Sequence, residues 1–267
     1  MLKTGCNGVV YYEPDSLNQF NNIKAAFATR VGGTSDGVFS SLNLSYHRGD
    51  NDECVTENFS RICDAAGLEC NIVCNKQVHG DRIIKVSEKS IGGFPCPEMQ
   101  QEEADGFVTD VPGVVLTAVY ADCVPILFYD PVRNAIAAVH AGWRGTVAHI
   151  SEKAVHTLTN EYGTNPKDLI AVIGPSICKC HFEVGEETAQ IFKSCLKDFD
   201  IVDCQNGKYH VDLWGANKGL LMEAGLLEKN ITISGLCTYC EEDLFFSHRR
   251  CGDARGSHIA FIEIKEN

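Results

Sequence analysis

No stretch of this 267-residue chain approaches the roughly 18 consecutive apolar residues of a membrane-crossing helix. Its opening residues turn polar by Glu13, without the basic, apolar and small-residue order of a secretory leader. A soluble, cytoplasmic protein is the expectation. Positive charge is scarce: 23 Lys and Arg stand against 36 Asp and Glu, a formal net charge of −13. Such a surface repels phosphate backbones and anionic headgroups, so neither nucleic acid nor membrane is an expected partner. Fourteen cysteines fall short of the roughly 8–10% of a disulfide scaffold, and mostly reduced thiols follow. P-loop, G-x-S-x-G, H-E-x-x-H and zinc-deaminase (H-x-E with P-C-x-x-C) signatures are all missing. Without a repeat, a low-complexity tract or a linker, residues 1–267 read as one domain.

What is present is a globular balance, 44% apolar and 22% charged, in a chain long enough to bury a large core. Short strands are expected at 9–12 and 25–29, followed by a Gly-, Ser- and Asn-rich loop over 30–52. Val55, Phe59 and Ile62 recur at helical spacing, which predicts a helix over 52–66 ended by Gly67. Strands at 72–77 and 82–86 precede a loose segment over 90–103 that reads as a lid or a surface connection. The apolar runs 106–109, 114–120, 125–129 and 135–140, punctuated at Val111-Pro112-Gly113 and Asp130-Pro131, predict a buried sheet. Helices are expected over 146–162, 186–196 and 213–224, and strands over 169–173, 231–236, 244–247 and 258–264. Strands and helices mix without strict alternation, which favours an α+β class over a doubly wound sheet.

Two short runs carry chemistry: Tyr120-Ala121-Asp122-Cys123-Val124-Pro125 and Ala138-Val139-His140-Ala141-Gly142-Trp143-Arg144. Each places a thiol or an imidazole where an apolar strand stops, and Gln77-Val78-His79-Gly80 repeats the pattern. His79, Cys123 and His140 would hold Zn²⁺ as two imidazoles and a thiolate, leaving a fourth position open. The same cysteine and histidine also suit a thiolate and general-base pair with no metal, and spacing does not separate the two. A cysteine in an apolar strand also serves simply as a small core residue. Cys237-Thr238-Tyr239-Cys240 is a C-x-x-C pair, but Cys178-Lys179-Cys180-His181 lacks the usual spacing of a second pair, so free thiols are expected there. Arg30, Arg144, Arg249, Arg250 and Arg255 lie in Gly- or Ser-rich surroundings, and guanidinium is suited to planar carboxylate or phosphate recognition.

The chain resembles a family long called laccase-domain or multicopper polyphenol oxidase, whose members are now described as purine nucleoside phosphorylases with adenosine deaminase and methylthioadenosine phosphorylase activity. The resemblance runs through TRVGGTSDG (29–37), SLNLSYHRGD (41–50), QVHG (77–80), ADGFVT (104–109), ADCVPILFYDP (121–131), AAVHAGWRGT (137–146), GPSI (174–177), FEVGEE (182–187), CTYC (237–240) and LFFSHRR (244–250). It implies that His79, Cys123 and His140 form the metal triad, with Zn²⁺ expected and Cu²⁺ a possible occupant. It implies too an α+β fold similar to that of cysteine-hydrolase toxins, a monomer, and a purine nucleoside and phosphate as small-molecule partners. Arg249 or Arg255 would neutralise phosphate. Arg30, Asn43 and Asp122 fall in the family's cleft motifs, Asn43 as a hydrogen-bonder to purine or ribose and Asp122 as a catalytic or ligand-orienting group. Asp253-Ala254-Arg255 departs from the T-G-R run common in the family, keeping the arginine but losing the glycine before it. Two other activities have been attached to such proteins: a copper phenol oxidase, which nine histidines with no H-x-H pair disfavour, and a cysteine amidase acting on a peptidoglycan precursor, with Cys123 as nucleophile and His140 as base.

Overall fold

The apolar runs in the middle of the chain form strands buried on both faces. Every residue of β8 (Val124–Asp130) and β9 (Ala135–Ala141) is buried, which is why these segments read as continuous hydrophobic runs and not as alternating ones. The chain is described here by a computed structural model covering residues 1–74, 76–88, 92–96 and 102–266. One six-stranded sheet runs in the order β1 (Leu2–Thr4), β2 (Val10–Tyr12), β3 (Ile23–Ala28), β15 (His258–Ile264), β7 (Val115–Tyr120), β4 (Ile72–Val73). A second runs β14 (Ile231–Ile233), β10 (Ile170–Ile173), β8, β9, β6 (Gly106–Thr109), β5 (Ile83–Lys85). A small third sheet has the order β11 (Glu183–Val184), β13 (Lys208–Val211), β12 (Val202–Gln205).

Alternate side chains sort the two large sheets into layers. Phe27, Leu116, Tyr120 and Ile262 of the first sheet share a core with Leu127, Tyr129, Ile136 and Val172 of the second. On the second sheet's other face, Ile126, Phe128 and Val139 pack against α4 (Ile150–Tyr162), α5 (Glu186–Cys195) and α6 (Leu213–Glu223). On the first sheet's other face, Ala26, Val115 and Phe261 meet Val55, Phe59 and Ile62 of α2 (Asp52–Ala66). The result is helix, sheet, sheet, helix: a mixed α+β architecture, as expected. Three short helices complete it: α1 (Asp15–Asn18), α3 (Trp143–Val147) and α7 (His248–Cys251). Among the described residues no helix is long and apolar enough to cross a membrane.

Helix α2 has the expected bounds, capped by the Asn51 side chain on the Glu53 N–H and closed by Gly67 at φ 65°. Elsewhere the expectations need correction. The helix expected over 146–162 starts earlier and breaks at His149, φ 62°; the chain must turn there between the short α3 and α4, which lies along the sheet. Residues 244–247 form no strand. The Phe246 N–H donates to His258 Nε2 at 2.8 Å in place of a ladder carbonyl, and Ser247 caps α7. The strand expected over 72–77 ends at Val73, and segment 90–103 lies in part outside the described residues. The third sheet went unread because its strands are short and polar, although Asn206-Gly207, both at positive φ, marks its hairpin.

Candidate active site and metal centre

Strand β7 belongs to one large sheet and β8 to the other, and only Ala121-Asp122-Cys123 connects them. So short a crossover holds Asp122 at φ 92°, a conformation that non-glycine residues rarely adopt. The Asp122 carboxylate fixes it: Oδ1 accepts from Thr238 Oγ1 (2.6 Å), and Oδ2 accepts from Ser247 Oγ (3.0 Å) and the Arg249 N–H (2.6 Å). Cys123 follows at the seam of the two sheets. His140 comes from the end of β9, opposite Pro125 of β8, and His79 from the loop beyond β4 at φ 59°. The structure brings all three together, their donor atoms within 4.8 Å of one another and the two imidazoles edge to face at 4.9 Å.

Asp105, buried at the start of β6, organises this group and was not singled out from the sequence. Its Oδ1 lies 2.9 Å from His140 Nδ1 and accepts the His79 N–H at 3.0 Å, while Oδ2 accepts the N–H groups of Val78 (3.2 Å) and Gly80 (2.7 Å). With Nδ1 held by a carboxylate, His140 turns Nε2 toward Cys123. The sequence signal was an aspartate directly before the apolar run Gly106-Phe107-Val108. Burial pushes the Cys123 thiol up, but the facing His140 and the hydrogen bonds from His140 and His79 outweigh it and bring the thiol down to about 6. Burial likewise pushes His140 down, and Cys123 with Asp105 raises it to about 9. A deprotonated thiol between two imidazoles, one oriented by a carboxylate, is a donor set suited to a thiophilic divalent ion. Gly142 supports that fit: a Cβ there would stand 3.1 Å from His79 Cδ2, 3.3 Å from Cys123 Sγ and 3.5 Å from His140 Cε1, so the triad closes around a position that glycine leaves clear.

The triad opens into a cavity of about 780 Å³, the size of a small-molecule site. Arg48, Arg249 and Arg255 also line it, and none of the three is in an ion pair among the described residues. Arg255 is only 6% exposed. Its Nη1 donates to the Gly256 carbonyl (2.8 Å) and Ser257 Oγ (3.0 Å), while its Nε is buried without a partner. Burial, reinforced by the like charge of Arg48, lowers its pKa to about 10. A buried guanidinium that lines a cavity with no ion-paired carboxylate among the described residues is arranged for an anion.

Residues 24–265 match the family described as multi-copper polyphenol oxidoreductase laccase. The chain belongs to that family. Over 254 residues this laccase-family chain is 37% identical to the purine nucleoside phosphorylase YlmD of Bacillus subtilis, spanning 93% of its own length and 91% of the relative's. It is 33% identical over 262 residues, 94% of this chain and 97% of the other, to the adenosine deaminase RL5 of an unknown prokaryotic organism. The crystal structure of YlmD from Geobacillus stearothermophilus superposes with a TM-score of 0.91 at 34% identity, covering 99% of both chains.

The remaining sequence-predicted residues of this laccase-family member are placed differently. The Arg30 guanidinium lies outside the cavity lining, donating to the carbonyls of Ser40 and Glu242 over the Phe246 ring. Asn43 is fully buried with its hydrogen bonds already used, Nδ2 to the Ser45 carbonyl and Asp50, Oδ1 from the N–H groups of Ser45 and Ser257. Both organise the 30–52 loop. Arg144 lines the cavity stacked over Trp143, whereas Arg250 binds the carbonyls of Thr238, Tyr239 and Phe245. Asp122, with three donors on its two oxygens, positions the Arg249 backbone. Cys237 and Cys240 are free thiols, as expected, but they do not stand alone: Cys178 and His181 converge on them, the four donor atoms within 4.8 Å of one another.

Proposed function

We propose that this chain is a zinc-dependent purine nucleoside phosphorylase, acting on adenosine, inosine, guanosine and methylthioadenosine, with adenosine deaminase activity as a second reaction. The observation that carries the reading is Arg255, a buried guanidinium that lines the cavity shared with the triad and has no ion pair among the described residues. Two further arginines and no ion-paired carboxylate beside them favour a small dianion as co-substrate. The names of the relatives support the two reactions in turn, phosphorolysis in one case and adenosine deamination in the other.

In phosphorolysis an oxygen of phosphate bonds to C1′ as the bond from C1′ to the purine nitrogen breaks, the base leaving with a proton and the sugar as ribose 1-phosphate. Arg255, with Arg48 and Arg249, holds the phosphate and places its oxygen. His79, Cys123 and His140 would hold Zn²⁺, or Cu²⁺ on donor type alone, and the ion supplies Lewis acidity at that end of the cavity. Asp105, on Nδ1, keeps His140 in the tautomer whose Nε2 is free to serve as a metal ligand beside Cys123. Deamination at C6 asks for a second substrate pose with the purine turned toward the triad. Composition and charge support a soluble, cytoplasmic, single-domain protein with no nucleic-acid or membrane partner, and the family resemblance supports a monomer.

One arrangement favours a second reading. Asp105, His140 and Cys123 line up as carboxylate, imidazole and thiol, the order of a cysteine amidase. Incubating the purified protein with adenosine or inosine, with and without phosphate, decides between them. Phosphate-dependent release of free base, lost in Cys123→Ala, is expected. Activity on a peptidoglycan-type amide that survives metal removal, with nucleosides untouched, would establish the amidase.

A further inference from the structure

We propose a second, structural metal site, built by Cys178, His181, Cys237 and Cys240 and taking one Zn²⁺ in a closed tetrahedral shell. It is separate from the triad and independent of the phosphorylase reading. The four donor atoms lie within 4.8 Å of one another. His181 Nδ1 stands 3.3 Å from Cys178 Sγ and 3.4 Å from Cys240 Sγ. Bonds of about 2.3 Å to sulfur and about 2.0–2.1 Å to nitrogen put the edges of such a tetrahedron near 3.5–3.8 Å, so these side chains stand close to the separations one ion requires. They are too close to surround a multi-iron cluster.

The backbone explains the convergence. Strands β10 and β14 run parallel, and their pairing continues past their ends as a bridge between Ser176 and Cys237. Each strand then enters a tight turn: the N–H groups of His181 and Phe182 return to the Cys178 carbonyl, and that of Glu241 to the Cys237 carbonyl. Each turn presents two ligands three residues apart, C-x-x-H from one and C-x-x-C from the other. The Cys178 N–H donates to Cys237 Sγ at 3.3 Å, a bond that steadies a thiolate across the two turns. Cys180, falling between Cys178 and His181, hides the first spacing in the sequence.

Four protein ligands leave no open coordination position, which makes the site structural. Binding converts up to three thiols to thiolates and releases their protons, leaving the ion and its ligands at a net charge of −1. The Arg250 guanidinium, held on the Thr238 and Tyr239 carbonyls, offsets that charge. The staple would tie the 174–185 segment to the 234–247 segment at the cavity wall, since Arg249 Nη1 donates to the His181 carbonyl at 2.9 Å and Phe182 under its guanidinium lines the cavity.

The test is metal stoichiometry of the full-length chain purified under reducing conditions with zinc. Two equivalents are expected in the wild type and one in Cys240→Ser, with Tm falling by several degrees. The converse variant His79→Ala/Cys123→Ala keeps the second site and, loaded with Co²⁺, shows intense thiolate-to-metal charge transfer with tetrahedral d–d bands. A folded converse variant with no bound metal, or a disulfide among Cys178, Cys237 and Cys240 in the reduced preparation, would overturn the proposal. So would a Cys240→Ser variant with unchanged metal content and Tm.

Discussion

Asp105 makes four contacts with two oxygens, and each bears on where the triad's nitrogen donors sit. Asp105→Asn replaces one oxygen with a donor that opposes the backbone N–H groups, so metal affinity at the triad should fall about 10–100-fold. Competition against a chromogenic chelator reads this directly, and an unchanged dissociation constant would remove Asp105 from the site. Arg255 makes a different prediction at the same scale. Lysine keeps the charge but loses the fork, so Arg255→Lys should raise KM for phosphate about tenfold while KM for the nucleoside stays within about twofold. Equal rises in both would point to a collapsed cavity. Sequence reading found the three metal-ligand candidates because thiol and imidazole stood out at strand ends. It passed over Asp105 because carboxylates abound in this chain and one before a strand looks ordinary. Asn43 and Arg30 show the converse: they sit in functional-looking motifs, yet their hydrogen bonds are taken up by the loop.

The elements most legible in advance were those whose residues face one environment throughout. Helix α2 shows one apolar stripe, and strands β6 to β9 are apolar on both sides. The elements misread are those whose backbone partners come from elsewhere, such as residues 244–247, where an imidazole replaces a strand neighbour. Strand β15 carries a further consequence. Glu263 lies in its buried interior at 1% exposure, accepting the Glu69 N–H at 3.0 Å. Burial raises its carboxyl to about 7, above the ordinary carboxylate range near 4.3. Folding therefore favours the protonated form: stability is gained as pH falls from about 7 toward about 4.5 and lost as pH rises through that window. Glu263→Gln keeps an acceptor and removes the charge. Its Tm should exceed that of the wild type at pH 8, and the gap should close by about pH 5. A constant gap across that range would show that the carboxyl stays ionised in the fold.

At the scale of the whole molecule, a net charge of −13 and a cavity lined by arginines act in opposite senses on an anionic co-substrate. The surface charge repels over distances that salt screens, about 10 Å at 0.1 M, while the buried Arg255 is screened less. Raising a weakly coordinating salt from about 10 to about 100 mM should therefore increase kcat/KM for phosphate and leave that for inosine unchanged. A monotonic decrease would show that the arginines dominate at long range. The same acidity was plain in the composition, whereas its local reversal was not, because Arg48, Arg249 and Arg255 are brought together only by the fold.

The three-residue crossover from β7 to β8 places Cys123 where the two large sheets are joined, while His140 ends a strand of one sheet and His79 follows a strand of the other. An ion held by all three, as proposed, would rivet the sandwich across its seam. Stripping it should free the amides around residues 77–80, 121–125 and 139–142 to exchange with deuterium together, as one breathing unit, while α2 keeps its protection. The molecule would then open like a book along the spine where its chemistry sits.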